Sequence, residues 1–184
     1  MKKIITFLFA FGILFSNNIF ALEHRVVIHG LTKHLHDTDR FSGLKFNEKN
    51  YGIGYKITGY NDKEDINDIG QFYLTASVSG IKDSFYNPFY FASVGVEYRL
   101  NKLPFSFSLD AMGGSKILYH YNTSDGGQTY TSTGYNYAPI FGAMPGIAIH
   151  LSDLSINYNF SPSLQFYNLY IEGFHYLYLT YKFR

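Results

Sequence analysis

The chain contains no cysteine and no tryptophan, and beyond residue 21 it has no long apolar run, whereas a transmembrane helix takes about 20 such residues. Without cysteine there are no disulfides, so stability has to come from strand pairing and packing. A surplus of either charge is missing too. Lys and Arg number 15 against 14 Asp and Glu, a formal net charge of +1. That balance leaves no electrostatic footprint for nucleic acid, so no nucleic-acid partner is expected.

What is present begins with "MKKIITFLFAFGILFSNNIFALEH". Lys2 and Lys3 form a positive segment, Ile4 to Phe15 an apolar one, and Asn17 and Asn18 break it ahead of the small residue Ala21. This layout predicts a secretory signal peptide over residues 1–21, with 22–184 as the mature domain. Losing both lysines takes the formal charge from +1 to about −1. The remaining chain, about 163 residues (184 − 21), suits one domain.

Aromatic residues are abundant: 20% of the chain, as 18 Tyr and 18 Phe. An exported, aromatic-rich and glycine-rich chain predicts an all-β protein, a transmembrane barrel of the bacterial outer membrane. The periodicity agrees. Phe72, Leu74, Ala76 and Val78 alternate with Gln71, Tyr73, Thr75, Ser77 and Ser79, and Tyr90 to Leu100 repeat the pattern. Such alternation gives strands with two unlike faces. The last strand, "HYLYLTYKFR", puts Leu177, Leu179, Tyr181 and Phe183 on one face.

Eight antiparallel strands are expected, near 25–35, 46–60, 69–82, 89–100, 105–120, 137–150, 154–163 and 171–183. Polar connections 36–45, 83–88, 121–136 and 164–170 fall on one side; 61–68, 101–104 and a tight turn at Leu151 to Asp153 fall on the other. Both termini then lie in the periplasm and the first set faces outward from the cell. A barrel this narrow is filled by side chains or holds one small ligand. Gly52, Gly54 and Gly95 are expected to point inward, either to relieve crowding or to leave a slot for an acyl chain.

The seven histidines divide into two groups. His24, His120, His150 and His175 fall near strand ends or on the lipid-facing phase and read as interfacial. His29, His34 and His36 cluster in "IHGLTKHLHD". No metal site is expected among them, because no pair is matched by a carboxylate at metal-ligand spacing. The segment "KDS", Lys82 to Ser84, lies on the same rim. Asp and Ser side by side are usual in a turn. They also suit an acid–base set in which an imidazole accepts a hydroxyl proton. Adjacent Asp and Ser cannot share one face of a regular strand, so the backbone is expected to turn there.

Several motifs in order resemble the lipid A palmitoyltransferase family, PagP. These are "TKHL" with His34, then "FNE" (Phe46 to Glu48), "KDS", Gly95-Val96-Glu97, and "NYAPIFGAMP" (Asn136 to Pro145). The resemblance implies an enzyme, a phospholipid:lipid A acyltransferase, with His34, Asp83 and Ser84 as the catalytic trio. His29 and His36 remain alternatives for the histidine. It implies Gly95 as the floor of an acyl slot, and Pro139 and Pro145 as interruptions of the sixth strand that admit lipid sideways. Its partners would be a glycerophospholipid donor and a lipid A or lipopolysaccharide acceptor in the outer leaflet, with no cofactor, and a monomer is expected. The amphipathic helix that precedes the family's first strand has no counterpart in "LEHR" (Leu22 to Arg25). Two other readings stand beside it. One is a lipid hydrolase at the same site, the other a non-catalytic structural or adhesive barrel working through loop 121–136.

Overall fold

The computed structural model describes residues 20–37, 45–61, 69–124, 129–162, 164–166, 169–171 and 173–183. They form β1 (Phe20–His34), β2 (Lys49–Asn61), β3 (Gly70–Lys82), β4 (Pro88–Leu100), β5 (Phe105–Ser124), β6 (Thr129–Leu151), β7 (Leu154–Ser161), β8 (Leu164–Phe166), β9 (Leu169–Ile171) and β10 (Phe174–Phe183). Eight of these close into an antiparallel barrel in the order β1-β10-β7-β6-β5-β4-β3-β2, and β8 and β9 form a separate two-stranded ribbon. The all-β eight-stranded barrel expected from the alternation is the fold observed. Most of the expected leader lies outside the described residues. Its last two, Phe20 and Ala21, pair with Asn61 and Tyr60 in the β1–β2 ladder.

The pleat sorts side chains inside out. Ile53 is 66% exposed, Phe72 70% and Phe141 74%, whereas Thr58 and Ser155 are fully buried. Glu23, Arg25, Lys56, Glu97 and Asp110 are buried as well. A soluble barrel would show the reverse. Closure leaves every barrel strand paired with two neighbours, as a hydrocarbon environment requires.

Two irregularities place the rim. Between His29 and Leu31 the register of β1 slips against both β2 and β10, a bulge at Gly30. One inserted residue reverses the facing of everything beyond it, so His29 below the bulge and His34 above it are both buried. Strict alternation predicts only His29 inside.

The second irregularity is in β6. An interruption is expected at Pro139 and Pro145, yet β6 pairs with β5 straight through both, Pro139 opposite Ser115 and Pro145 opposite Leu109. Only the β7 side stops: that ladder runs from Leu151–Leu154 to Gly146–Asn159 and ends just below Pro145. Proline lacks the N–H for one ladder but not for the other, so the interruption is one-sided.

Candidate functional site

The lower half of the lumen is a knot of charges. Glu23 accepts hydrogen bonds from Arg25 at 2.9 Å, Arg99 at 3.1 Å and Lys182 at 3.2 Å. Glu97 faces Arg99 at 2.8 Å, His150 at 3.2 Å and Lys56 at 3.4 Å. His150 also bonds Ser155 at 2.8 Å and Ser106 at 2.9 Å. It is therefore a lumen residue rather than the interfacial one expected. His24 and His175 do lie outside, hydrogen-bonded to Tyr55 and Tyr158. The side chain of His120 is outside the described residues.

The inward glycines are Gly52, Gly54 and Gly95, as expected, but neighbouring strands fill the space beside them. A Cβ on Gly95 would strike the Asp110 carboxylate and come within 2.5 Å of the Leu109 carbonyl oxygen. Asp110 in turn accepts a 3.2 Å hydrogen bond from Thr75. At Gly52 the obstruction is the Gly80 carbonyl and the Ile81 backbone; at Gly54 it is Ser79. These glycines relieve crowding between strands.

Above the charges His29 bonds Ser79 at 2.8 Å and Tyr176, with Phe91 edge-on to its ring at 5.7 Å. At the rim the chain brings together His34 and Ser84, two of the three residues singled out on "KDS" and its histidine. Ser84 Oγ and His34 Nε2 share a 2.8 Å hydrogen bond. The His34 ring stacks on Phe46 with centroids 4.0 Å apart, and Phe46 meets Phe85 at 5.6 Å. Asn47 N donates to Ser84 O at 2.7 Å.

Asp83 completes the turn that the sequence requires at this point. Its Oδ1 accepts the N–H groups of Phe85 and Asn87, each at 2.8 Å, and Tyr86 takes the left-handed φ of 66°. This is how an Asx residue closes a tight connection. His36 is exposed just beyond β1. Outside the rim Lys33 reaches Glu48 at 2.7 Å and Asp37 at 3.1 Å. Asp37, beyond the end of β1, is held below the usual carboxylate range by the bond from Lys33.

An eight-stranded barrel with an apolar outside, a charged and packed inside and long connections at one end is a small integral protein of the bacterial outer membrane. Neither a family model nor a curated protein matches the chain. Among solved structures it is similar to Ail, the attachment invasion locus protein of Yersinia pestis. In complex with the heparin analogue sucrose octasulfate, Ail shows 16% identity and a TM-score of 0.47, covering 88% of this chain and 98% of that one. Ail in a phospholipid bilayer nanodisc gives 16% and 0.43, covering 89% and 100%. Neisserial surface protein A gives 12% and 0.32, covering 88% and 96%.

These results correct two expectations. No family model matches the chain and no lipid A palmitoyltransferase is among its matches, so the expected membership of the PagP family is not borne out. The acyltransferase activity inferred from it falls with it. Asp110 takes up the space beside Gly95, where the resemblance puts the floor of an acyl slot.

Proposed function

We propose that this protein is a non-catalytic barrel of the outer membrane that works as a surface adhesin through its extracellular hairpin. The observation that carries this reading is the length of β5 and β6. They span 20 and 23 residues against 13 for each of β2, β3 and β4. The ladder between them continues from Ile117–Tyr137 to Ser124–Thr129, past the level at which β4 begins. At about 3.3 Å per residue this ribbon extends roughly 25 Å beyond the rim. Its sequence, "YHYNTSDGGQTYTSTGYNY" from Tyr119 to Tyr137, combines tyrosine with Ser, Thr, Asn and Gly. Binding loops favour that mixture because Tyr offers large contact area at low entropic cost and the small polar residues adapt their hydrogen bonds.

In this reading His34, Asp83 and Ser84 fasten the rim. The Ser84–His34 bond and the Phe46 stack tie the segment after β1 to the β3–β4 turn, and Asp83 keeps that turn closed. The charge knot below it makes the barrel a rigid, plugged pedestal.

The test is attachment by cells displaying the full chain, against cells in which residues 119–135 are replaced by a two-residue turn. Folding is checked by heat-modifiable migration in gels. Attachment is expected to fall to the level of cells lacking the protein while the barrel still folds. Unchanged attachment would overturn the proposal, as would transfer or release of a labelled acyl chain by the refolded barrel.

A further inference from the structure

The outer wall at the extracellular end carries a feature that the hairpin does not use. Lys33, Lys49 and Lys82 stand on three adjacent strands, all exposed. Lys33 is neutralised by Asp37 and Glu48. Among the described residues no carboxylate pairs with the ammonium of Lys49 or Lys82. The β2–β3 ladder pairs Gly52 with Ile81, so Tyr51 comes opposite Lys82 and Lys49 is the next outward residue on β2. Diagonal positions of this kind are about 7–8 Å apart. Asn50 Nδ2 donates to Lys82 O at 2.8 Å and holds the two strand ends together.

Directly below runs a groove of about 700 Å³ on the membrane-facing wall, lined by Ile53, Tyr55, Val78, Gly80, Tyr90 and Gly113. Gly80 and Gly113 supply no side chain there, and the Tyr90 and Phe141 rings lie across them at 3.1 Å from where a Cβ would be. Lys82 is the next outward residue after Gly80, about 7 Å along the strand. An apolar trough on the outer wall thus ends beneath two lysines that no carboxylate among the described residues pairs with.

We propose that this wall holds one molecule of the phosphorylated glycolipid of the outer leaflet. A phosphate sits between Lys49 and Lys82 beside Tyr51, and one acyl chain lies in the groove between Tyr55 and Tyr90. The charges decide the occupant. An uncharged lipid would fill the trough but leave both ammonium groups unmatched, whereas phosphate accepts charge-assisted hydrogen bonds from both. The orientation of the barrel places these groups in the leaflet where that glycolipid resides. The site is separate from the extracellular hairpin and does not depend on what the hairpin binds.

The experiment is native mass spectrometry of the full-length mature barrel released from an uncharged detergent. The barrel is first incubated with equal amounts of bisphosphorylated lipid A, dephosphorylated lipid A and phosphatidylglycerol. One lipid A adduct is expected, with little of the other two. Lys49→Gln/Lys82→Gln should lower that adduct by at least roughly tenfold, on the order expected for two lysines at an anionic surface. Lys33→Gln should leave it unchanged, and Val78→Phe should reduce it by filling the trough. Each variant is checked for heat-modifiable migration, which separates loss of binding from loss of folding. Equal retention by the double variant, or equal binding of dephosphorylated lipid A, would overturn the proposal. Equal binding of phosphatidylglycerol would overturn the glycolipid assignment in favour of any anionic lipid.

Discussion

Ser84 Oγ lies 2.8 Å from His34 Nε2, although His34 ends β1 and Ser84 sits in the β3–β4 turn, with β2 between them, and the bulge at Gly30 is what turns His34 inward. The contact ties the end of β1 to the β3–β4 turn across β2. His34 is buried to 6% exposure and stacked on Phe46, so its replacement removes packing as well as a hydrogen bond. His34→Ala is expected to cost about 2–3 kcal/mol. Ser84→Ala removes a single half-buried partner and is expected to cost about 1 kcal/mol. Urea midpoints of the refolded barrel in detergent test both, and a larger effect for Ser84→Ala would contradict the clasp.

Gly95 faces Asp110 across the β4–β5 ladder, and the approach is too close for any side chain. Gly95→Ala is expected to destabilise by about 1–3 kcal/mol through overpacking. The Leu109 carbonyl lies within 2.5 Å of the same point, so shortening the acid does not cure the clash. Gly95→Ala/Asp110→Ala should therefore be no more stable than Gly95→Ala. Recovery in the double variant would mean that the carboxylate alone sets the limit.

The barrel was legible because its two faces differ so sharply. Alternation in Phe72 to Val78 and Tyr90 to Leu100 is a direct imprint of lipid on one side and a polar lumen on the other. Which histidines point inward was not legible, because the answer turns on one inserted residue. Gly30 carries no mark that distinguishes a bulge from an ordinary strand glycine, yet it decides the facing of Thr32, His34 and the rim. His150 was misplaced for a related reason. It sits next to a tight turn, where a position near the strand end looks interfacial, while its partners Ser106 and Glu97 lie far off in sequence, on β5 and β4. The turn at Asp83 was readable from chemistry, since adjacent Asp and Ser cannot both face inward on a straight strand. The reach of β5 and β6 beyond the rim was hidden by the Thr, Ser and Gly content of 121–136, which reads as loop rather than as paired strand.

Glu97 is the anion on which Lys56, Arg99 and His150 converge. Neutralising it removes the buried counter-ion of Lys56, while Arg99 keeps Glu23, and breaking a buried pair from one side costs about 3–5 kcal/mol. Glu97→Gln is expected to lower stability by that amount. Pairing it with Lys56→Met should recover part of the loss, because it removes the stranded charge. Urea unfolding of the single and double variants measures the coupling, and strict additivity would show that the two side chains act independently.

Asp37 titrates in the open, outside the barrel, and its carboxyl is held below the usual value of 3.8 by the hydrogen bond from Lys33. A depressed carboxylate stabilises the folded rim above its unfolded pKa, and the benefit disappears as pH falls through the lower folded value. The affected window therefore lies below pH 3.8, and the pair should be intact throughout the neutral range. High salt should raise the Asp37 value towards 3.8, because exposed charges are screened. Lys33→Gln should do the same at low salt. Carbon-detected NMR titration of the Asp37 carboxyl reads both effects, and a value that responds to neither salt nor Lys33→Gln would place the cause elsewhere in the rim.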